Sequence, residues 1–204
     1  MIIALEGIDG VGKTTMCNLL KTGLGRKFNI PISVIPDPDS NDPIGHFVRQ
    51  LLNNEVNITS DSWALIFAAA SINSQSGDLG YIKSKTRKEL IILDRCVLSS
   101  YAYFYQKCTF DWLDAIHKSY QFPDITIVIE ASESEITKRL QLRINETPLT
   151  RKKITHLKKA YKAAVKHLVK TRGANIIFLT IEESFTKQDT LKLILNIIQN
   201  NLKF

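Results

Sequence analysis

Short apolar runs alternate along this chain with longer stretches of helical spacing. The runs are Ile2–Leu5, Ile32–Ile35, Leu90–Leu93, Ile125–Ile129 and Ile176–Leu179. They are short, rich in Ile and Val and apolar without strict alternation, the pattern of strands that helices cover on both faces. Between them, Ser132-x-x-Glu135 reads as a capping box opening a helix toward Arg143. Thr59, Ser60 and Asp61 are N-cap candidates before Trp63–Ala70. Ile154, Leu157, Tyr161, Ala164, Val165 and Leu168 form one apolar stripe, which Gly173 stops. The alternation predicts an α/β fold, a three-layer α/β/α arrangement around a largely parallel five-stranded sheet with right-handed crossovers. No repeat, low-complexity tract or linker divides the pattern, so a single domain is expected over residues 1–204. Asn145–Thr150, with Pro148, separates two helical stretches and predicts a mobile lid around residues 139–152.

Composition narrows the class. With 44% apolar and 23% charged residues the chain is ordinary globular protein. The start, Met1 to Leu5, is apolar but meets Glu6 at once, and no apolar run nears the length of a membrane span. Cys17, Cys96 and Cys108 are odd in number and make no C-x-x-C pair, so neither a disulfide framework nor a zinc site is expected. A cytoplasmic protein with no membrane partner follows from these features. The net charge of +7 and the pI near 9.3 favour polyanionic partners, nucleotides or nucleic acids.

One segment chooses between them. Gly7-Ile8-Asp9-Gly10-Val11-Gly12-Lys13-Thr14 matches G-x-x-x-x-G-K-[ST], and Thr15 continues it. Glycines let backbone N–H groups turn inward around phosphates. The lysine reaches the β- and γ-phosphates, and the threonine hydroxyl holds Mg²⁺. The following helix aims its positive end at the same anion. An apolar strand precedes the loop and a helical pattern follows, as the chemistry requires. Asp94 closes the third strand, where an acid is placed to hold the magnesium or its waters. ATP with Mg²⁺ is the expected ligand.

Three classes of protein share such a loop. A GTPase switch needs [NT]-K-x-D, and Thr186-Lys187-Gln188-Asp189 matches that string. It lies past the last strand, however, and reads more simply as a helix N-cap. A nucleic-acid motor would use the basic stretch Arg151–Arg172, but its charges mostly avoid the apolar stripe and form a solvated face. No nucleic-acid partner is therefore expected. A small kinase fits the size, and Arg139 and Arg143, four apart on one helix face before the lid, are placed to reach one phosphate.

The residues resemble the thymidylate kinase family over nearly the whole chain. Glu6–Thr15 is similar to its phosphate loop, including Asp9. Asp37-Pro38 with Pro43-Ile44-Gly45 resembles its Glu-Pro or Phe-Pro segment. Leu65–Ala69 resembles its Leu-Phe-Ala-Ala helix, and Leu93–Tyr103 its Asp-Arg-Tyr-x-x-Ser-Ser-x-Ala-Tyr block. The resemblance implies a nucleoside monophosphate kinase fold. It also implies transfer of the γ-phosphate of ATP to dTMP with Mg²⁺, in a homodimer.

It further implies roles for particular residues. Lys13, Asp94, Arg95 and the lid arginine, Arg139 or Arg143, would be catalytic, and Thr14 with Asp94 would hold the metal. Asp9 would accept from the sugar 3′-hydroxyl and Arg95 would clamp phosphates. Phe67 would stack on the base, and Tyr103 would crowd the sugar 2′ position. Pro38, Ser71 and Ser99 complete the expected acceptor site. The chain departs from the pattern at Ser71, where the family reads thymine with arginine. It departs again at Asp39–Asp42, where an acceptor-phosphate arginine is missing, and at Cys96, where the family has tyrosine. Asn73 and Gln75 are candidates to replace the missing arginine. A kinase for another nucleoside monophosphate is the alternative, then a deoxynucleoside kinase.

Overall fold

The computed structural model describes residues 1–28, 30–54, 56–77, 80–81, 89–142 and 149–201. Five parallel strands make one sheet: β1 (Ile2–Glu6), β2 (Ile32–Pro36), β3 (Leu90–Asp94), β4 (Ile125–Glu130) and β5 (Ile176–Thr180). Their order is β2-β3-β1-β4-β5. Ile3 of β1 faces Ile92 on one side and Ile125 on the other. All five expected strands are present, and each runs one residue further than its apolar run. The added residues are Glu6, Pro36, Asp94, Glu130 and Thr180. Four are polar and one is proline; all but Glu6, which stays fully buried, lie at positions reached by solvent.

The helices are α1 (Lys13–Phe28), α2 (Pro43–Asn53), α3 (Ser60–Ser76), α4 (Leu98–Tyr103), α5 (Phe110–Ile116), α6 (Glu133–Gln141), α7 (Arg151–Arg172) and α8 (Lys187–Asn201). Two packed pairs, α1 with α8 and α4 with α7, flank the sheet. This is the three-layer α/β/α arrangement. Ile3, Ala4 and Leu5 of β1, Leu20 and Leu24 of α1, and Leu168 of α7 are fully buried in its core.

Local chemistry sets the helix ends. Thr59, of the three candidates, caps α3 by accepting from the Ser62 N–H. Ser132 accepts from the Glu135 N–H at 3.2 Å, but the Glu135 carboxylate turns to Arg139 and does not complete the box. The helix it opens is described to Gln141, short of the expected Arg143. Gly173 ends α7 with φ 60°, a left-handed position that favours glycine. Thr186 and Asp189 cap α8 reciprocally, so the string resembling a guanine-reading motif is a helix start. Along α7 the lysines and arginines are largely exposed, while the apolar stripe is buried. No helix among the described residues is long and apolar enough to cross a membrane.

Candidate active site

The loop after β1 turns on three glycines with positive φ, Gly7 (133°), Gly10 (89°) and Gly12 (97°). A Cβ on Gly7 would lie 2.3 Å from the Ile129 carbonyl oxygen, so β4 itself forbids a side chain there. Ile8 and Val11 pack into the core, while Asp9 and Gly12 keep part of their surface exposed. Lys13 Nζ donates to the Ile8 carbonyl at 3.0 Å and lies 3.7 Å from Asp9 Oδ1. Burial, and then the neighbouring Arg95 guanidinium, push the Lys13 ammonium down to about 8, against the pull of Asp9, Glu6 and Asp94. The Thr14 hydroxyl hydrogen-bonds Asp94 at the end of β3. Two hard oxygen groups thus meet beside the phosphate loop, one from α1 and one from the neighbouring strand.

Arg95 is the hub of the cleft. Its guanidinium donates to the Gly7 carbonyl at 3.2 Å and to Ser99 Oγ at 3.0 Å, and it pairs with Asp9. It also lies 5.6 Å from the centroid of the Tyr103 ring. The Tyr103 hydroxyl donates to Asp9 Oδ2 at 2.9 Å. Burial would raise the Asp9 carboxyl, but Arg95 and Lys13 outweigh it and hold Asp9 below its ordinary value. Arg95 takes a left-handed backbone, φ 79°, a cost on the order of 1–3 kcal/mol. Its N–H bond to the Leu5 carbonyl at 3.0 Å and its several side-chain partners hold it there.

Beneath this cluster lies a group with no role in the expected site. Glu6 is fully buried. Its carboxylate accepts from the N–H groups of Cys96 (2.8 Å), Ser99 (3.1 Å) and Gly7 (3.2 Å), and from Ser99 Oγ at 2.9 Å. The Tyr161 hydroxyl reaches the same carboxylate from α7 at 3.0 Å. Glu6 therefore ties the phosphate loop to the start of α4. The one sequence signal for it is an acid ending an otherwise apolar, buried strand. Tyr161 has no such signal, since its spacing places it in an apolar stripe. Ser99, expected at the acceptor, is engaged with Glu6 and Arg95.

Arg139 folds over the loop. Its Nη1 donates to the Val11 carbonyl at 3.2 Å, and its Nε donates to Glu135 Oε1 at 2.6 Å. Arg143, the other candidate lid arginine, and most of the predicted lid loop lie outside the described residues.

The far wall of the cleft is built by α3 and the end of β2. Phe67 is half-buried and packs on Trp63, centroids 5.8 Å apart, and edge-on against Phe104 at 6.2 Å. One turn on, the Ser71 hydroxyl lies 2.9 Å from each carboxylate oxygen of Asp37. Burial raises the Asp37 carboxyl to about 7, although the Ser71 hydrogen bond pulls it down. Pro38 is buried, and its carbonyl accepts from Arg49 of α2 at 3.2 Å. The two proposed stand-ins for the missing arginine are engaged elsewhere. Asn73 hydrogen-bonds Asp42. Buried Gln75 bridges the Tyr81 hydroxyl and the Gln121 backbone. Neither is free to read a ligand, which corrects the expectation from the sequence.

A family model described as thymidylate kinase matches residues 5–191. Among curated proteins, a probable thymidylate kinase of Methanosphaera stadtmanae is 37% identical over 147 residues, 68% of this chain and 71% of that protein. A thymidylate kinase of Dictyostelium discoideum is 29% identical over 140 residues, 68% of this chain and 62% of that protein. The probable thymidylate kinase 1 of Saccharolobus solfataricus is 29% identical over 202 residues, 98% of each chain.

Proposed function

The chain belongs to the thymidylate kinase family, and on that premise we propose that it transfers the γ-phosphate of ATP to dTMP, giving ADP and dTDP. The observation that carries this reading is the meeting of two groups at the carboxyl ends of β1 and β3. Lys13 and Thr14 come from the phosphate loop, and Asp94, Arg95, Asp9 and Tyr103 form one connected cluster beside them.

The loop Gly7–Thr15 would hold ATP, and the Lys13 ammonium would take up charge developing on the migrating phosphoryl group. Arg95 would bridge donor and acceptor phosphates from a position its neighbours fix in advance. Asp9, kept ionised by Arg95 and Lys13, is an acceptor suited to the sugar 3′-hydroxyl. The Tyr103 ring beside it would crowd a ribose 2′-hydroxyl. Phe67 and Pro38 would flank the base. Arg139, with Arg143 beyond it, would close from the lid and help exclude water.

Thr14 and Asp94 offer hard oxygen donors of the kind magnesium takes alongside phosphates and water. Among the described residues no cluster of three or more His, Cys, Asp or Glu side chains is placed to hold a metal, which suits an ion that arrives on the nucleotide. Bound there, magnesium would neutralise charge on the phosphates.

We place the protein in the cytoplasm as one kinase domain with a lid. The apolar Phe47, Leu52 and Leu65, left exposed on α2 and α3, support a homodimer. One observation favours a broader acceptor range: Ser71, at the position of the family's thymine-reading arginine, is committed to Asp37. ATP consumption against a panel of nucleosides and their monophosphates tests the proposal. The expected result is turnover with dTMP and none with thymidine. Turnover with thymidine alone would replace the reading with a deoxynucleoside kinase.

A further inference from the structure

Ser71 and Asp37 form a contact that the proposed chemistry leaves unused. Ser71 is 3% exposed, whereas Asp37, just past the end of β2, is half-buried. Of the two residues, Asp37 is the more exposed. The single hydroxyl hydrogen of Ser71 is committed to the two Asp37 oxygens, each 2.9 Å away. Phe67 stands four residues before Ser71 on the same face of α3, so ring and carboxylate share one wall. Asn73 and Gln75 are engaged elsewhere. Arg49 is on the Pro38 carbonyl, and Arg95 is on Asp9 and Gly7.

Near pH 8, above the value of about 7 to which burial raises it, the Asp37 carboxyl is mostly ionised and then only accepts hydrogen bonds. With the Ser71 hydrogen already spent on it, the pair offers lone pairs and no donor. A thymine ring brought to this wall can satisfy it with its N3–H, but its 4-carbonyl meets acceptor with acceptor. A cytosine ring satisfies it with its 4-amino group but turns its N3 lone pair toward the same acceptors, so each base meets the wall with one donor and one mismatched acceptor. An arginine in place of Ser71 would reverse this, since a guanidinium only donates.

We infer that Asp37, held by Ser71, is the specificity-determining residue for the acceptor base, and that it admits 4-aminopyrimidine deoxynucleoside monophosphates alongside dTMP. The inference rests on the proposed reading that the acceptor base stacks on Phe67. A hydrogen bond from an amino group to a carboxylate is stronger than one between neutral groups. The site therefore loses the sharp rejection that a donor aimed at a carbonyl provides, and a cytosine base enters at little disadvantage.

The test compares dTMP with 5-methyl-dCMP, which keeps the methyl group and differs only along the ring edge at N3 and position 4. Wild type and Asp37→Asn are assayed near pH 8 with ATP and Mg²⁺, and folding of the variant is checked by thermal melting. Asparagine adds donors and removes the charge that repels a carbonyl. The ratio of kcat/KM for dTMP to that for 5-methyl-dCMP is expected to rise about tenfold or more in the variant, with the KM for ATP unchanged. A smaller rise, in a wild type that phosphorylates dTMP, overturns the inference and leaves the kinase reading standing. A wild type that phosphorylates no nucleoside monophosphate overturns both. If Asp37→Asn does not fold, the wild-type ratio alone decides. Discrimination below about 10³ in favour of dTMP supports the inference, and anything above it marks a site built to bond the carbonyl and overturns it.

Discussion

The Tyr161 hydroxyl lies 3.0 Å from Glu6 Oε2, joining the long basic helix to the end of the first strand directly beneath the phosphate loop. Both residues are almost fully buried, and a buried acceptor left short of a partner is costly. Tyr161→Phe is expected to lower unfolding stability by about 1–2 kcal/mol. It is also expected to lower kcat, because Ser99 and Arg95 share the same contacts. Urea denaturation and steady-state kinetics check the two effects. Wild-type stability in the variant would show the contact to be idle.

Lys13→Met removes the ammonium that donates to the Ile8 carbonyl while keeping much of the side chain's bulk. The expected outcome is a folded protein whose kcat falls by far more than tenfold. A loss smaller than tenfold, about 1.4 kcal/mol of barrier, would remove Lys13 from the phosphoryl-transfer step.

Phe67 packs on Trp63 and Phe104 but stays half-buried. Phe67→Ala is expected to raise the KM for the acceptor and leave that for ATP nearly unchanged. Base stacking on an aromatic side chain is worth roughly 1–3 kcal/mol. Equal effects on both substrates, together with a drop in melting temperature, would mark Phe67 as a packing residue only.

His117 predicts acid sensitivity. It is fully buried, with Nδ1 2.9 Å from the Leu113 carbonyl, and burial pushes its pKa down from 6.5 to about 4. Above pH 6.5 neither the folded nor the unfolded chain protonates it, and it costs nothing. Between 6.5 and 4 the unfolded chain takes up the proton and the folded one does not, so stability falls as pH falls. The total loss is on the order of 3 kcal/mol. Melting temperatures measured across that window should slope less in His117→Phe, whose ring still packs on Tyr101. An unchanged slope would assign the sensitivity to other groups.

The strands were legible because both faces of this sheet are covered, which forces continuous Ile and Val. Each apolar run stopped one residue short for a physical reason: Glu6 and Asp94 end strands by entering the site. Caps at Thr59 and Ser132 were readable from side chains that act on nearby backbone, and the stop at Gly173 from the residue that tolerates a left-handed turn. The polar connections were not readable, because they join residues remote in sequence. Nothing local distinguishes Tyr161 from the apolar positions around it, and its hydroxyl finds Glu6 only once α7 has docked. The same holds at the base wall. Ser71 marks a departure by its identity alone, but its partner lies just past the end of β2, and Asn73 and Gln75 are drawn off by Asp42 and Gln121.

β1, which precedes the other four strands along the chain, is the middle strand of the sheet. Ile2 pairs with Ile91 and Ile3 with Ile125, so none of its ladders is local. Such distant pairings form slowly. On the ribosome, the apolar Ile2–Leu5 must therefore wait unpaired until β3 has emerged and lacks its second neighbour until β4 follows, a long interval for a sticky segment and one that suits chaperone capture. Nucleotide can act as a folding ligand only after that point. Nascent chains stalled before residue 125 are expected to gain no protease protection from ATP, whereas released full-length chains gain it. Protection of the shorter chains would mean that the loop can form without its sheet.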